Sequence, residues 1–400
     1  MKILYLATWF PHPLDNGSKI RVFHLLRALA AKHEVTLLSF AFDTTDVAGA
    51  HELRKMCGAV HAVNRNPFQR SLAQNRLRFF SLSPAVARPI PEMVQAVRTA
   101  LSDQRFDLVI ASTGITATYA LLAPTGTTRV LEEHNSMTRW AWDRLQVQPA
   151  LPGRLRCWVS WNKSRIYESR LFRRFDLVTM VSEEDRQYCL KTLPGYTGLM
   201  AVVPNGVDCQ HNKPGLASPA PTSLVFNGAL GYDVNYDAMR FFLADIFPRI
   251  RAEVSNASLT ITGATTRVDL SGLPLNSSVR LTGFVDDVRS YVAGAWVCVA
   301  PIREGGGTRL KVLEAMALGT PVVATSKAVE GHGIVPEEHC LIADTAEVFA
   351  QQTVRLLKDP DLRASLSANG RRFVESRYDW GDIGHNFEGL CQETVSRESS

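Results

Sequence analysis

Residues 301–325 read PIREGGGTRLKVLEAMALGTPVVAT. Three successive glycines, Gly305, Gly306 and Gly307, let a main chain come close to a ligand and turn N–H groups toward it. Thr308, Arg309 and Lys311 follow at the start of a helical pattern, so two positive charges and a helix N-terminus converge on one place. Such a place suits an anion, and a diphosphate in particular. Glu314 comes a turn and a half later, where its carboxylate could accept hydrogen bonds from a ribose diol. A Gly-rich turn whose Arg and Lys are merely solvated satisfies the same composition.

Three other stretches gather polar residues. NGALGYDVN (227–235) offers Gly228 and Gly231 as a second backbone cradle, with Asn235 expected to cap the following helix. PLDNGSKIR (13–21) places Gly17 in a loop before a helical pattern. VLEEHNSMTRW (130–140) sets His134 beside Glu132, Glu133 and Asn135 after an apolar run, although an ordinary hydrogen-bonded histidine would read the same way. No His-x-x-His or Asp-x-Asp with suitable flanks points to a metal site. The segment 153–175 has seven Lys or Arg against one Glu, with Trp158 and Trp161 among them. Basic amphipathic helices of this kind can lie on anionic membranes, though most are helices with one solvated face.

The elements that must position these residues alternate in type. Short apolar runs (2–8, 34–40, 107–112, 128–134, 176–182) are separated by helical patterns such as 17–33, which predicts a parallel sheet covered by helices. Residues 204–223, dense in Pro, Gly, Asn and Ser, read as a linker or long surface loop. The alternation then restarts (223–228, 258–263, 279–284, 296–302, 321–325), and the tail is helical. Two doubly wound halves place ligand residues in the loops after strands, where the glycine-rich segments fall.

Bulk properties set limits. Four hundred residues with 46% apolar content suggest two domains. A net charge of +5 suits small anionic ligands, and the absence of a basic stripe interleaved with aromatics argues against nucleic acid. Seven scattered cysteines with no C-x-x-C pair read as reduced thiols, and no apolar run reaches membrane-spanning length. The expectation is a cytoplasmic protein, with peripheral contact with the inner face of the cell membrane left open.

Taken in order along the chain, GSKIRVFHLLRALAAKHEVTLL, EEHN, DLVTMVSEED, VVPNGVD (202–208), FNGALGYDVNYDA, LTGFVDDV and KVLEAMALGTPVVAT resemble the family 4 glycosyltransferases of group 1. The resemblance implies an α/β GT-B fold, with two facing Rossmann-like parallel-sheet domains and a cleft between them. It puts an acceptor domain at 1–205, to which a C-terminal helix (377–400) returns, and a donor domain at 206–376. It also implies a retaining, metal-independent transferase with no cofactor beyond its nucleotide-diphosphate sugar. The acceptor would be a saccharide, a lipid-linked molecule or a small metabolite, within polysaccharide, glycolipid or glycoside biosynthesis.

Carried over residue by residue, the resemblance gives Glu314 the ribose hydroxyls and puts the loop Gly283–Val285 against the base. Gly17 falls near the donor phosphates, and His134 near the reacting sugar. Two departures stand out. The family's first glutamate, eight positions before Glu314, is replaced by Gly306, and Glu304 lies two residues too early. The Arg and Lys that usually follow the first strand of the donor domain are also missing, so Arg309 and Lys311 are expected to meet the diphosphate from the opposite loop. A nucleotide-sugar 2-epimerase and a catalytically silent binding subunit are the alternative readings.

Overall fold

The computed structural model describes residues 1–42, 49–69, 88–266, 268–305 and 307–398. Gly306 and residues 70–87, the larger part of the acceptor-side loop segment 64–90, lie outside them. The chain forms two compact units, Met1–Pro204 with Gly381–Ser400, and Asn205–Trp380.

The first unit is built on a seven-stranded sheet. Its strands are β1 (Lys2–Ala7), β2 (Glu34–Ala41), β3 (Ala59–Asn64), β4 (Leu108–Ser112), β5 (Thr128–Glu132), β6 (Leu177–Met180) and β7 (Met200–Val202). They are ordered β3-β2-β1-β4-β5-β6-β7, and every pairing is parallel. The second unit repeats the plan with six strands: β8 (Ala220–Asn227), β9 (Ser258–Thr262), β10 (Val279–Leu281), β11 (Ala295–Ala300), β12 (Val322–Ala324) and β13 (Leu341–Ile342). Their order is β10-β9-β8-β11-β12-β13, again all parallel. Strands covered on both faces are apolar at nearly every position, and Ile3 to Ala7 are all fully buried. In each sheet the strand order reverses once, between β1 and β4 and between β8 and β11. Loops leaving those strand pairs diverge and open a crevice at their carboxyl ends.

The helices that flank these crevices start from local signals. Helix Gly17–Ala30 is capped by Asn16, whose side chain accepts from the Lys19 N–H at 3.0 Å. Helix Asp233–Phe241 begins earlier than expected, after Tyr232, with no side-chain cap. Asn235 is therefore inside the first turn and is not the cap, because its side chain is spent elsewhere. That helix widens into a π turn over Phe242–Ile246 before continuing as Phe247–Glu253. Pro248 has no N–H to donate back to Ala244, which accounts for the wider turn.

Residues 205–209 pack more tightly than a free linker would, while 210–219 run mostly exposed as a surface loop. Val207 and Cys209 are buried, and Val207 exchanges backbone bonds with Tyr378 (2.8 Å) and Trp380 (3.2 Å). Beyond Gly381 the C-terminal helix Trp380–Glu398 belongs to the first unit. There Glu388 accepts from Lys32 Nζ and meets His33 Nε2, each at 2.8 Å, while Phe387 and Cys391 are fully buried. All seven cysteines are buried and unbonded. Among the described residues no helix is long and apolar enough to cross a membrane.

Candidate active-site residues

In the second unit the crevice between β8 and β11 is bordered by two glycine-containing loops. The loop after β11 carries Gly305 and Gly307 with φ of 94° and 78°, backbone that a side chain would strain. It ends at Arg309, the N-cap of helix Leu310–Ala317. The Arg309 guanidinium folds over its own loop, donating to the Glu304 carbonyl at 3.0 Å, with Tyr232 and Glu330 nearby. Thr308 Oγ1 accepts from Asn205 Nδ2 at 2.7 Å. Glu304 itself is exposed.

Lys311 joins the two loops. Its Nζ donates to Asn235 Oδ1 at 2.8 Å and sits 3.9 Å from the centre of the Phe226 ring. Gly228 leaves the space for it: a Cβ there would lie 2.7 Å from Lys311 Nζ and 2.8 Å from Asn235 Nδ2. Burial, with Arg309 close by, pulls the Lys311 ammonium down to a pKa of about 7. Glu314, one turn further along, accepts from Asn227 Nδ2 at 3.1 Å, and burial raises its carboxyl. Val285 is half-buried in the loop after β10, beside the exposed Phe284 and after Gly283 at φ 70°. Gly228, Gly305, Gly307, Thr308, Arg309, Lys311 and Glu314 thus all fall on the loops and helix that follow β8 and β11, with Val285 on the loop after β10.

In the first unit His134 lies just beyond β5, next to the crevice between β1 and β4. Its Nε2 is 3.1 Å from Glu132 Oε2 and 3.0 Å from Ser112 Oγ, and its Nδ1 is 3.3 Å from Ser18 Oγ. The half-buried Trp9 stacks on the ring, centroids 5.8 Å apart at 16°. Gly17 is exposed at the first position of its helix, and its neighbour Ser18 is the residue that reaches His134. Thr113, after β4, holds φ at 77°, which a β-branched residue rarely adopts, and is tied there by Thr8 Oγ1 at 2.8 Å.

Glu132 organises this cluster. Fully buried, it accepts from Arg21 Nε at 2.5 Å and from Tyr5 OH at 3.4 Å. Burial alone would raise its pKa, but the charges of His134 and Arg21 outweigh it and hold the carboxyl at about 2. The carboxylate also orients the His134 ring, whose other nitrogen, Nδ1, lies toward Ser18 Oγ. Glu133 behaves in the opposite way: burial and the nearby Glu168 push its carboxyl up. Glu168 in turn accepts from Ser136 Oγ (3.0 Å) and from the backbone N–H groups of Met137 (2.6 Å) and Thr138 (3.1 Å), which holds the helix that begins at Met137.

Sequence reasoning singled out His134 but not Ser112 and Trp9, which contact its ring, or Arg21, which holds Glu132. The bridge from Lys311 to Asn235 was similarly hidden, since those residues are 76 apart in sequence. His332, fully buried, was not foreseen either; burial, with Arg309 near, holds its pKa at about 4.

Residues 15–211 match the family described as Glycosyltransferase Family 4, and residues 221–359 match Glycosyl transferases group 1. An uncharacterised 44.6 kDa protein from the cps region of Klebsiella pneumoniae is 21% identical over 390 residues, spanning 94% of this chain and 96% of that protein. Among solved structures, the sucrose-phosphate synthase of Thermosynechococcus elongatus superposes with a TM-score of 0.71 at 20% identity, covering 99% of this chain and all of the other. HepE from Anabaena, solved with UDP and glucose, superposes at 0.67 and 17% identity over 98% of this chain and all of its own.

Proposed function

Since the chain belongs to the group 1, family 4 glycosyltransferases and has their GT-B fold, we propose that it moves a sugar from a nucleoside-diphosphate sugar to a hydroxyl acceptor with retention of configuration. The observation that carries this reading is the Lys311 ammonium held at the mouth of the β8/β11 crevice, over Gly228 and among the glycines of the facing loop. It would supply a positive charge to a leaving diphosphate, the glycine loops would supply backbone N–H groups, and Glu314 would supply a carboxylate to the ribose diol.

In the proposed reaction the bond from the anomeric carbon to the diphosphate oxygen breaks as the acceptor oxygen bonds to the same face of that carbon. The acceptor's proton passes to the departing diphosphate oxygen, so no protein base is consumed. Lys311 and Arg309 offset the growing charge on that oxygen. His134, oriented by Glu132, is the first unit's proposed catalytic residue. Losing one preorganised donor of this kind costs roughly 100- to 1000-fold in rate. The diphosphate charge is met by side chains rather than by a metal, so transfer is expected to persist in EDTA.

HepE was solved with UDP and glucose, which makes UDP the first nucleotide to try here. A thermal-shift screen with UDP, GDP, ADP and dTDP, each with and without EDTA, tests the reading. A ligand at about 100 times its dissociation constant stabilises by roughly 2.7 kcal/mol, a readable shift. One nucleotide standing out, unaffected by EDTA, is the expected result, and no response to any of the four would overturn it.

A further inference from the structure

Helices Met137–Val147 and Leu151–Phe172 form an antiparallel hairpin in the first unit, joined by the three residues 148–150. Two contacts fix its alignment. Glu168 holds the start of the first helix, and Trp142 packs on Trp161 with ring centroids 5.1 Å apart. Trp161 is further locked by donating from Nε1 to Tyr188 OH (2.9 Å) and by Arg165, 4.5 Å from its ring centre. Trp161 is therefore committed to internal packing and does not share an outward face with Trp158, as the sequence had suggested.

The tip of the hairpin is different. Val147 is 70% exposed, Leu151 82%, Leu155 63% and Trp158 50%, and Trp140 lower on the first helix is 51% exposed. No other stretch of the described chain concentrates large apolar side chains in solvent this way. Leu151, Leu155 and Trp158 are spaced i, i+4, i+7 and so form one stripe along the second helix. Trp140, Arg144 and Val147 repeat the spacing on the first, with Arg144 4.8 Å from the Trp140 ring centre. From residue 144 to residue 167 the chain has five cations (Arg144, Arg154, Arg156, Lys163 and Arg165) and no Asp or Glu.

We infer that this tip docks on an anionic lipid bilayer, with Leu151, Leu155 and Trp158 entering the headgroup–acyl boundary and Arg144, Arg154 and Arg156 meeting lipid phosphates. Exposed apolar patches mark surfaces that something covers, and a predominantly cationic surround is complementary to an anionic leaflet. Trp and Arg are also side chains that settle at that boundary. This inference stands on the hairpin alone and does not depend on the transferase reading.

The test is co-sedimentation of the full chain with phosphatidylcholine vesicles, with and without phosphatidylglycerol. Binding to the phosphatidylglycerol vesicles alone is expected. The double variant Leu155→Ser/Trp158→Ser should release the protein even at low salt. Arg154→Ser/Arg156→Ser should weaken binding about 25-fold, at roughly fivefold per arginine near an anionic surface. Every substituted side chain is exposed, and an unchanged melting temperature with and without nucleotide confirms that each variant is folded with its crevice intact. No sedimentation with phosphatidylglycerol vesicles would overturn the inference. So would binding that salt abolishes and that ignores the Leu155/Trp158 change, because that pattern describes an acidic partner met by charge alone.

Discussion

Lys311 is the residue whose protonation should be visible in solution. With its pKa lowered to about 7, a sizeable fraction is neutral in the empty crevice at neutral pH. A bound diphosphate favours the charged form, so binding must take up a proton as pH passes above about 7, and affinity should fall as pH rises through that range. Titration calorimetry in buffers of different ionisation enthalpy reads the uptake directly. Lys311→Met should remove both the uptake and most of the affinity; wild-type binding without proton uptake would exclude Lys311 from the phosphate site. Acid stability tests two other residues. His332, held at about 4 against about 6.5 in an unfolded chain, contributes stability that is present above pH 6.5 and lost as pH falls through 4, a total of about 3 kcal/mol. Glu132, held at about 2, adds a second loss at lower pH, between its ordinary range near 4 and its folded value. Urea midpoints for wild type and His332→Asn between pH 7 and pH 4 should differ in slope, with the variant flatter. Glu132→Gln would leave the buried Arg21 charge without its anion and should cost about 3–5 kcal/mol at neutral pH.

At the scale of elements, two glycines mark where backbones come close. Gly228→Ala would put a Cβ 2.7 Å from Lys311 Nζ and displace the Lys311–Asn235 bridge. Nucleotide affinity is expected to drop with little change in melting temperature, since a flexible side-chain end can move aside. Gly384→Ala meets the Cβ of Ala28 at 2.6 Å between two packed helices that cannot move so easily, and should cost about 1–3 kcal/mol of stability by urea unfolding while leaving nucleotide binding alone. The sequence located the long apolar strands, because strands buried on both faces need unbroken apolar runs. It missed β3, where the pattern AVHAVN is only half-buried at the sheet edge, and the short β7 and β13, whose two or three residues leave no period to read. The glycine loops stood out by composition and His134 by its place after an apolar run, while the roles proposed for them came from the family resemblance. Their partners were not, since parallel sheets bring together residues far apart in the chain. The Trp158/Trp161 pair shows the same limit, as spacing cannot say which of two neighbouring indoles the fold turns inward.

At the scale of the whole molecule, each unit repeats one parallel plan, and the chain leaves the first unit at Pro204 to rejoin it at Gly381. The first unit therefore needs both ends of the chain for its core, through Ile383, Phe387 and Cys391. Each unit also carries its own shielded thiols: Cys57, Cys157, Cys189 and Cys391 in the first, Cys209, Cys298 and Cys340 in the second. Burial pushes Cys57, Cys209, Cys298 and Cys340 up to about 12, so almost no thiolate exists while the fold is closed. The molecule thus has a built-in clock for its own opening. A thiol reagent added under native conditions can mark a cysteine only during the moments its unit is open, and peptide mapping of the label would time the two halves separately. With nucleotide present, labelling at Cys298 should slow while labelling at Cys57 keeps its pace.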